Sequence, residues 1–393
     1  MRIHYVLLHA YGMGGTIRTV INQANAMAAA GHEVELASVV RRRDTPQFAV
    51  DPRVTIVDLV DQRDGGTRAD STARRVWRRL RGRIVPRGEF AAHYFTERVE
   101  KSVIDYVAAV SGGVLVTTRP ALNLISARRG SKNAVRIAQE HMNLATHPGA
   151  VRAEITRHYG RLDAVAVLTG TDRRDYQRLL PGTPVVRIPN AVPDLTGRRP
   201  STHESRIVVA AGRLTAQKGF DLLIRAFAHV AREHPDWRLR IYGSGVKKAE
   251  LGALIDKLGV GEHVALMGRT DHLPDRLAEA SLYVLSSRFE GLPMVMIEAM
   301  AHGLPVVAFD CPTGPAEVLT DEVDGVLVPP GDVDALARGI GRLIRDGDLR
   351  RRMGAAARQA VREYAPDAVM PLWEDLFAEH LGAGGRAGVD MLR

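Results

Sequence analysis

The feature that most constrains this chain is an alternation that runs, stops and starts again. Short β-rich runs occur at Ile3–Leu8, Val34–Val40, Val54–Val57, Val114–Thr117, Ala134–Gln139, Ala164–Leu168 and Val185–Ile188. Helical stretches fit between most of them, such as Thr16–Ala30, which ends at Gly31, a residue suited to a C′ position. The pattern then restarts with strands at Ile207–Ala211, Arg238–Tyr242, Val264–Met267, Leu282–Leu285, Val306–Phe309 and Val326–Val328. Helices fit at Phe220–His234, Lys247–Leu258, Pro293–His302, Val333–Arg345 and Leu349–Tyr364. Such alternation predicts parallel sheets covered by helices on both faces. Between the two runs, Ile188-Pro-Asn-Ala-Val-Pro193 and the polar stretch to about Glu204 read as a linker. The expected fold is therefore α/β, two doubly wound Rossmann-like domains facing each other across a cleft, at residues 1–190 and 205–365. A final helix over about 366–380, with aromatics Tyr364, Trp373 and Phe377 in or beside it, is predicted to pack back on the first domain. Ligands of such sheets sit outside the carboxyl ends of the strands.

Composition narrows the class. A length of 393 residues suggests two domains, and 45% hydrophobic with 25% charged residues is an ordinary globular balance. The single cysteine, Cys311, excludes an internal disulfide and fits a reducing compartment; it reads as a small buried apolar residue. The apolar run at Ile3–Leu8 is too short for a signal segment, and no run approaches the ~18 apolar residues of a membrane span. The expected location is cytoplasmic, with peripheral contact at the inner face of the membrane left open. Charge is uneven: residues 1–190 hold 29 Lys and Arg against 17 Asp and Glu, and the remainder 25 against 28. The first half therefore calls for an anionic partner. Within it, Arg74, Arg75, Arg78, Arg79, Arg81, Arg83 and Arg87 crowd one segment while Val76, Trp77, Leu80 and Ile84 share a helical face. That is an amphipathic basic helix, suited to an anionic surface or to docking its apolar side on the domain. Nucleic acid is disfavoured, because no aromatics interleave with the cations and aromatics are 5% of the chain.

Several motifs carry chemistry. Gly12-Met-Gly14-Gly15-Thr follows the first strand and opens a helix, a place where the backbone can approach an anion; a plain tight strand-to-helix turn is the alternative. Ile17 stands where a dinucleotide fingerprint needs a small residue, which argues against hydride transfer. Gly212-Arg213 and Lys218-Gly219 follow the first strand of the second half, so a planar fork and a point charge can converge on one diphosphate; a solvated basic turn is the alternative. In Glu290-Gly291-Leu292-Pro293-Met294, followed by Glu298, Pro293 suits a first helical turn and amides of residues 291–294 would point at a phosphate. Glu290 reads either as a ligand for hydroxyls or as a first-turn dipole partner. Glu298 is flanked by Val295, Met296, Ile297, Ala299 and Met300, so it is expected buried and paired. His141, just past a strand end, reads either as a substrate-facing or as a satisfied structural histidine. Thr313 and Gly314 can offer a hydroxyl and amides at the next helix start, or form no more than a rigid loop. Asp332, after Pro330-Gly331, is read as an N-cap rather than a metal ligand, and no metal or cofactor is assigned.

Taken in order and spacing, these residues resemble the family-four retaining glycosyltransferases of GT-B fold. The likeness is strongest over 205–345 and looser between 40 and 130. The resemblance implies that Arg213 and Lys218 hold the diphosphate of a nucleotide sugar, Glu298 binds ribose hydroxyls, and Glu290 contacts the donor sugar. Residues 291–294 would lie near sugar and phosphates, and Met267 near the base. Gly14 and Gly15 would face the donor phosphate or acceptor, and His141 the transferred sugar. It implies transfer of a hexose or N-acetylhexosamine, with UDP as the default carrier, to a glycan, an anionic polymer or a lipid-linked acceptor. A retaining glycosidase also uses two carboxylates, but these share a site with cations suited to diphosphate. A nucleotide-sugar epimerase of similar fold and a non-catalytic basic binding protein remain as alternatives.

Overall fold

The computed structural model describes residues 1–63, 84–193, 195 and 197–387. Of the expected basic helix over 74–87, all but the last four residues lie outside these. The chain forms two compact units, Met1–Ala191 with Val369–Arg393, and Val192–Ala368.

The first unit holds a sheet of β1 (Arg2–Leu7), β2 (Glu33–Arg41), β3 (Val54–Asp61), β4 (Val114–Thr117), β5 (Val135–Gln139), β6 (Ala164–Val167) and β7 (Val185–Arg187). Its order is β3-β2-β1-β4-β5-β6-β7, with every pair parallel. The order reverses between β1 and β4, which makes that point the natural crevice for a ligand. Successive residues of β1 serve opposite layers: Val6 enters one apolar cluster with Leu115 and Phe95, while Tyr5 and Leu7 enter another with Val116 and Ile137. Helix Gly15–Ala29 ends in a Schellman closure, with His32 N–H donating to Met27 O and Gly31 at φ 87°. The C-terminal helix Pro366–Ala387 adds Trp373 and Phe377 to this core, rings 5.7 Å apart and both buried. His32 Nε2 meets Glu374 Oε1 at 2.8 Å on the same helix.

The second unit holds β8 (Ile207–Ala211), β9 (Arg238–Tyr242), β10 (Val264–Gly268), β11 (Leu282–Leu285), β12 (Val306–Phe309) and β13 (Gly325–Val328). The order β10-β9-β8-β11-β12-β13 is again all parallel and reverses between β8 and β11. Helices Phe220–Glu233 and Val333–Arg345 bury Phe227, Leu336 and Ile340 against Val208, Leu239 and Val307. Asp332 caps the latter helix by accepting from Ala335 N–H at 2.8 Å. The α/β class, the doubly wound sheets and the strand positions agree with the sequence reading. Helix Leu273–Ala278 was not foreseen; it spans six residues, too few to show a period. No helix among the described residues is long and apolar enough to cross a membrane.

Candidate functional site

The crevice of the second unit is built by two loops leaving β8 and β11. After Ala211 the chain turns at Gly212, where a Cβ would lie 3.0 Å from Lys218 Cε; the lysine stem rests on that glycine. Gly219, at φ 60°, brings its backbone against Ser286, whose carbonyl would sit 2.0 Å from a Cβ. Only glycine satisfies both demands. Ser286 Oγ donates to Lys218 O at 3.0 Å, and Arg288 N–H donates to Gln217 O at 2.8 Å. The two loops are thus one locked body, braced from outside by a two-armed Arg288–Asp221 ion pair at 2.9 and 2.7 Å.

On this body Lys218 Nζ meets Glu290 Oε1 at 2.6 Å, and Ser287 Oγ donates to the same oxygen at 2.5 Å. The side chains are 16% and 7% exposed, so the pair is largely out of water. This corrects the reading of Glu290 as a first-turn dipole partner. The helix begins at Met294, with Pro293 at its N-cap, and the carboxylate is directed to the lysine. Arg213 is exposed and donates to Gln217 Oε1 at 3.2 Å, which leaves most of its fork facing solvent. The expectation of amides at all of residues 291–294 also needs correction. Pro293 has no N–H, and that of Met294 donates to Leu292 O at 2.9 Å. Gly291 and Leu292 remain as candidates.

Glu298 is buried within Met294–Ala301 at 8% exposure. Tyr283, on β11, was not singled out in the sequence. Its hydroxyl donates to Ala211 O at 3.4 Å, and burial first, then the charges of Glu290 and Glu298, hold it protonated far above the usual tyrosine range. Thr313 does not turn its hydroxyl outward: Oγ1 and N–H both donate to Glu290 O, at 3.3 and 3.2 Å. Cys311 is buried and its thiol is pushed up to about 12, mainly by desolvation. Met267, near the end of β10, is 44% exposed. A segment that sequence reasoning missed, Gly243–Lys247, closes over the Arg213 loop. Leu214 N–H donates to Ser244 O at 2.9 Å, and Lys247 N–H to Leu214 O at 3.0 Å. A Cβ on Gly243 would stand 1.8 Å from Gly212 O. The two glycines flanking Ser244 were a readable hint of close backbone approach.

The remaining candidates belong to the first unit. Gly14 is extended at φ 163°, so its backbone does not require glycine; a Cβ on Gly15 would meet nothing within 4 Å, leaving the helix N-terminus uncovered. His141 follows β5. Both its ring nitrogens are buried with no hydrogen-bond partner among the described residues, which tells against the satisfied structural alternative. Desolvation first, then the charge of Arg119, lowers its pKa to about 4, so it is neutral at pH 7. Beneath it, buried Glu140 accepts from Asn123 Nδ2 at 2.8 Å and from Tyr159 Oη at 2.5 Å. Among the described residues no group of three or more His, Cys, Asp or Glu is placed to hold a metal ion.

Residues 195–360 match the family of glycosyl transferases group 1. The chain is 36% identical over 392 residues to an exopolysaccharide phosphotransferase of Streptomyces coelicolor, covering 96% of this chain but only 41% of that relative. It is 31% identical over 251 residues to the amylovoran biosynthesis glycosyltransferase AmsD of Erwinia amylovora, covering 61% of this chain and 69% of the relative. Among solved structures, a point mutant of S. aureus TarM in complex with fondaparinux, alpha-GlcNAc-glycerol and UDP superposes with a TM-score of 0.75 at 16% identity, covering 96% of this chain and 99% of that one. Two parallel doubly wound units, a cation–carboxylate pair at the switch point of the second, and these matches lead to one assignment: the chain belongs to the group 1 glycosyltransferases of GT-B fold.

Proposed function

We propose that the protein transfers a hexose or N-acetylhexosamine, with retention, from a nucleoside-diphosphate sugar, UDP by preference, to a glycan, an anionic polymer or a lipid-linked acceptor. The observation that carries this reading is the Lys218–Glu290 pair, with Arg213 beside it, at the carboxyl ends of β8 and β11. A departing nucleoside diphosphate builds negative charge, and preorganised cations stabilise it where water is largely excluded. In this role Lys218 turns from Glu290 to the diphosphate, and Arg213 supplies its free fork. Glu290, released, accepts from hydroxyls of the donor sugar. Glu298 takes the ribose hydroxyls, the amides of Gly291 and Leu292 serve the phosphates, and Met267 lies by the base. His141, neutral, can only donate or accept a single hydrogen bond through each nitrogen, which suits a sugar hydroxyl rather than a phosphate. Gly14 and Gly15 leave their helix N-terminus open to an anionic group. In front-face transfer the leaving diphosphate itself takes the acceptor proton, so no second carboxylate base is required.

The UDP held by TarM supports the choice of carrier, and the name of AmsD supports a polysaccharide acceptor. The shared part is 41% of the S. coelicolor relative, and the activity in that relative's name is not carried over. The basic segment 74–87 is proposed to meet an anionic acceptor or membrane surface. A panel of nucleotide sugars screened by thermal shift, followed by NMR of the product formed from the best one, tests the proposal. Product with the donor's anomeric configuration is expected; sugar interconversion without transfer would mean an epimerase, and an inverted product would refute retention.

A further inference from the structure

A groove of about 840 Å³ opens at the amino ends of the second sheet, the opposite edge from the strand ends carrying Arg213 and Glu290. It is walled by the stretch before β8, including His203, by Gly303 before β12, and by helix Gly347–Ala360 with the turn Val361–Tyr364. All its lining residues lie in the second unit. Among the described residues three arginines line it, Arg351, Arg358 and Arg362, against one acid, Asp367. Arg351 and Arg358 are seven residues apart on one helix, hence on the same face and about 10 Å apart along its axis.

Among the described residues no ion pair reaches these cations from across the groove: Arg351 pairs with Asp348, three residues before it on its own helix, and Arg358 donates to Arg198 O at 3.1 Å, a contact that orients the guanidinium without cancelling its charge. Burial first, then Arg350 and Arg351, lower the pKa of His203; burial first, then Arg198, Arg199 and Arg358, lower that of His302. A volume of this size falls within the few hundred to about 1,000 Å³ of small-ligand sites. Guanidinium forks match phosphate oxygens two at a time.

We propose that this groove binds a small soluble ligand with two phosphate groups roughly 10 Å apart, one toward Arg351 and the other toward Arg358 and Arg362. The site is separate from the one that would hold a nucleotide sugar.

The test is calorimetric titration of the full chain with 1,6-hexanediol bisphosphate at low salt, with hexyl monophosphate as comparison. Expected are one-to-one binding, at least tenfold weaker binding of the monophosphate, and no change with saturating UDP present or in Lys218→Met. The double variant Arg351→Gln, Arg362→Gln should bind the bisphosphate at least tenfold more weakly, with its melting temperature retained. Arg358→Lys, which keeps the charge but loses the fork, should fall between. No binding to the wild type, displacement by UDP, or equal binding by the double variant would overturn the proposal. So would binding of phosphatidylglycerol vesicles that the double variant abolishes, with no response to the bisphosphate.

Discussion

Replacing Lys218 by methionine keeps the length of the stem lying on Gly212 and removes the charge that meets Glu290 at 2.6 Å. In the ligand-free protein it leaves a carboxylate that is 7% exposed facing Ser287 Oγ without its cation. Breaking a buried ion pair costs about 3–5 kcal/mol, and because Lys218 retains 16% exposure the lower end, about 3 kcal/mol, applies. For a unit of this size that is a drop in melting temperature of about 6–12 °C. The proposed phosphate contact adds a second loss. A charge-assisted hydrogen bond contributes about 1.5–3 kcal/mol, so UDP should bind roughly 10- to 100-fold more weakly. Glu290→Gln in the same background separates the two effects. It removes the stranded charge, so the double variant should regain most of the stability and none of the UDP affinity. Thermal unfolding and calorimetry on the four proteins read this cycle. A Lys218→Met melting temperature within 1–2 °C of wild type, or strictly additive stability losses in the double variant, would refute the argument that the pair is held as a unit.

Other consequences are independent of that pair. Burial raises the pKa of Asp172 to about 6, so in the first unit its contribution is stabilising below its unfolded pKa and is lost as pH rises through 6. The stability of the wild type relative to Asp172→Asn should therefore rise as pH falls from 7 to 4, by roughly 2–3 kcal/mol; a flat difference would contradict this. Gly243→Ala places a Cβ 1.8 Å from Gly212 O and should unsettle the Arg213 loop, lowering UDP affinity. Gly252→Ala, within helix Lys248–Leu258 and with nothing within 4 Å of the new Cβ, should instead stabilise by about 0.5–1 kcal/mol. Equal effects in calorimetry and unfolding would refute the distinction. Trp373→Ala should cost about 3–5 kcal/mol of the first unit's stability, with the second unit's unfolding unchanged; a shift of the second unit alone would be contrary.

The sheets were legible in the sequence because strands buried on both faces are written as unbroken apolar runs. The bounds expected for β4, β8, β11 and β12 are the observed ones; so are those of β9, whose Arg-Leu-Arg-Ile-Tyr alternates instead. The position of Gly212 and Glu290 after two of those strands was legible for the same reason. What they touch was not. Lys218 and Glu290 are 72 residues apart, and no local pattern states that a cation proposed for phosphate rests on a carboxylate in the ligand-free protein. The glycines at 243 and 245 hinted at a close backbone approach, but not at what they approach: the backbone of residues 212–214. The Met294 amide is satisfied by Leu292 O, a detail of how the helix starts that the Pro293 signal placed one residue early. His141 could be read two ways, because whether its nitrogens find partners depends on how the strand ends around it are packed.

The account stands or falls on whether the second unit's crevice binds and cleaves a nucleotide sugar. The direct measurement is release of nucleoside diphosphate from the best donor of a nucleotide-sugar panel, for wild type and Glu298→Ala at matched folding. Release by the wild type, with donor affinity reduced at least tenfold in the variant, is the predicted result. No release from any donor, or a Glu298→Ala protein that binds the donor as tightly as wild type, would contradict the account.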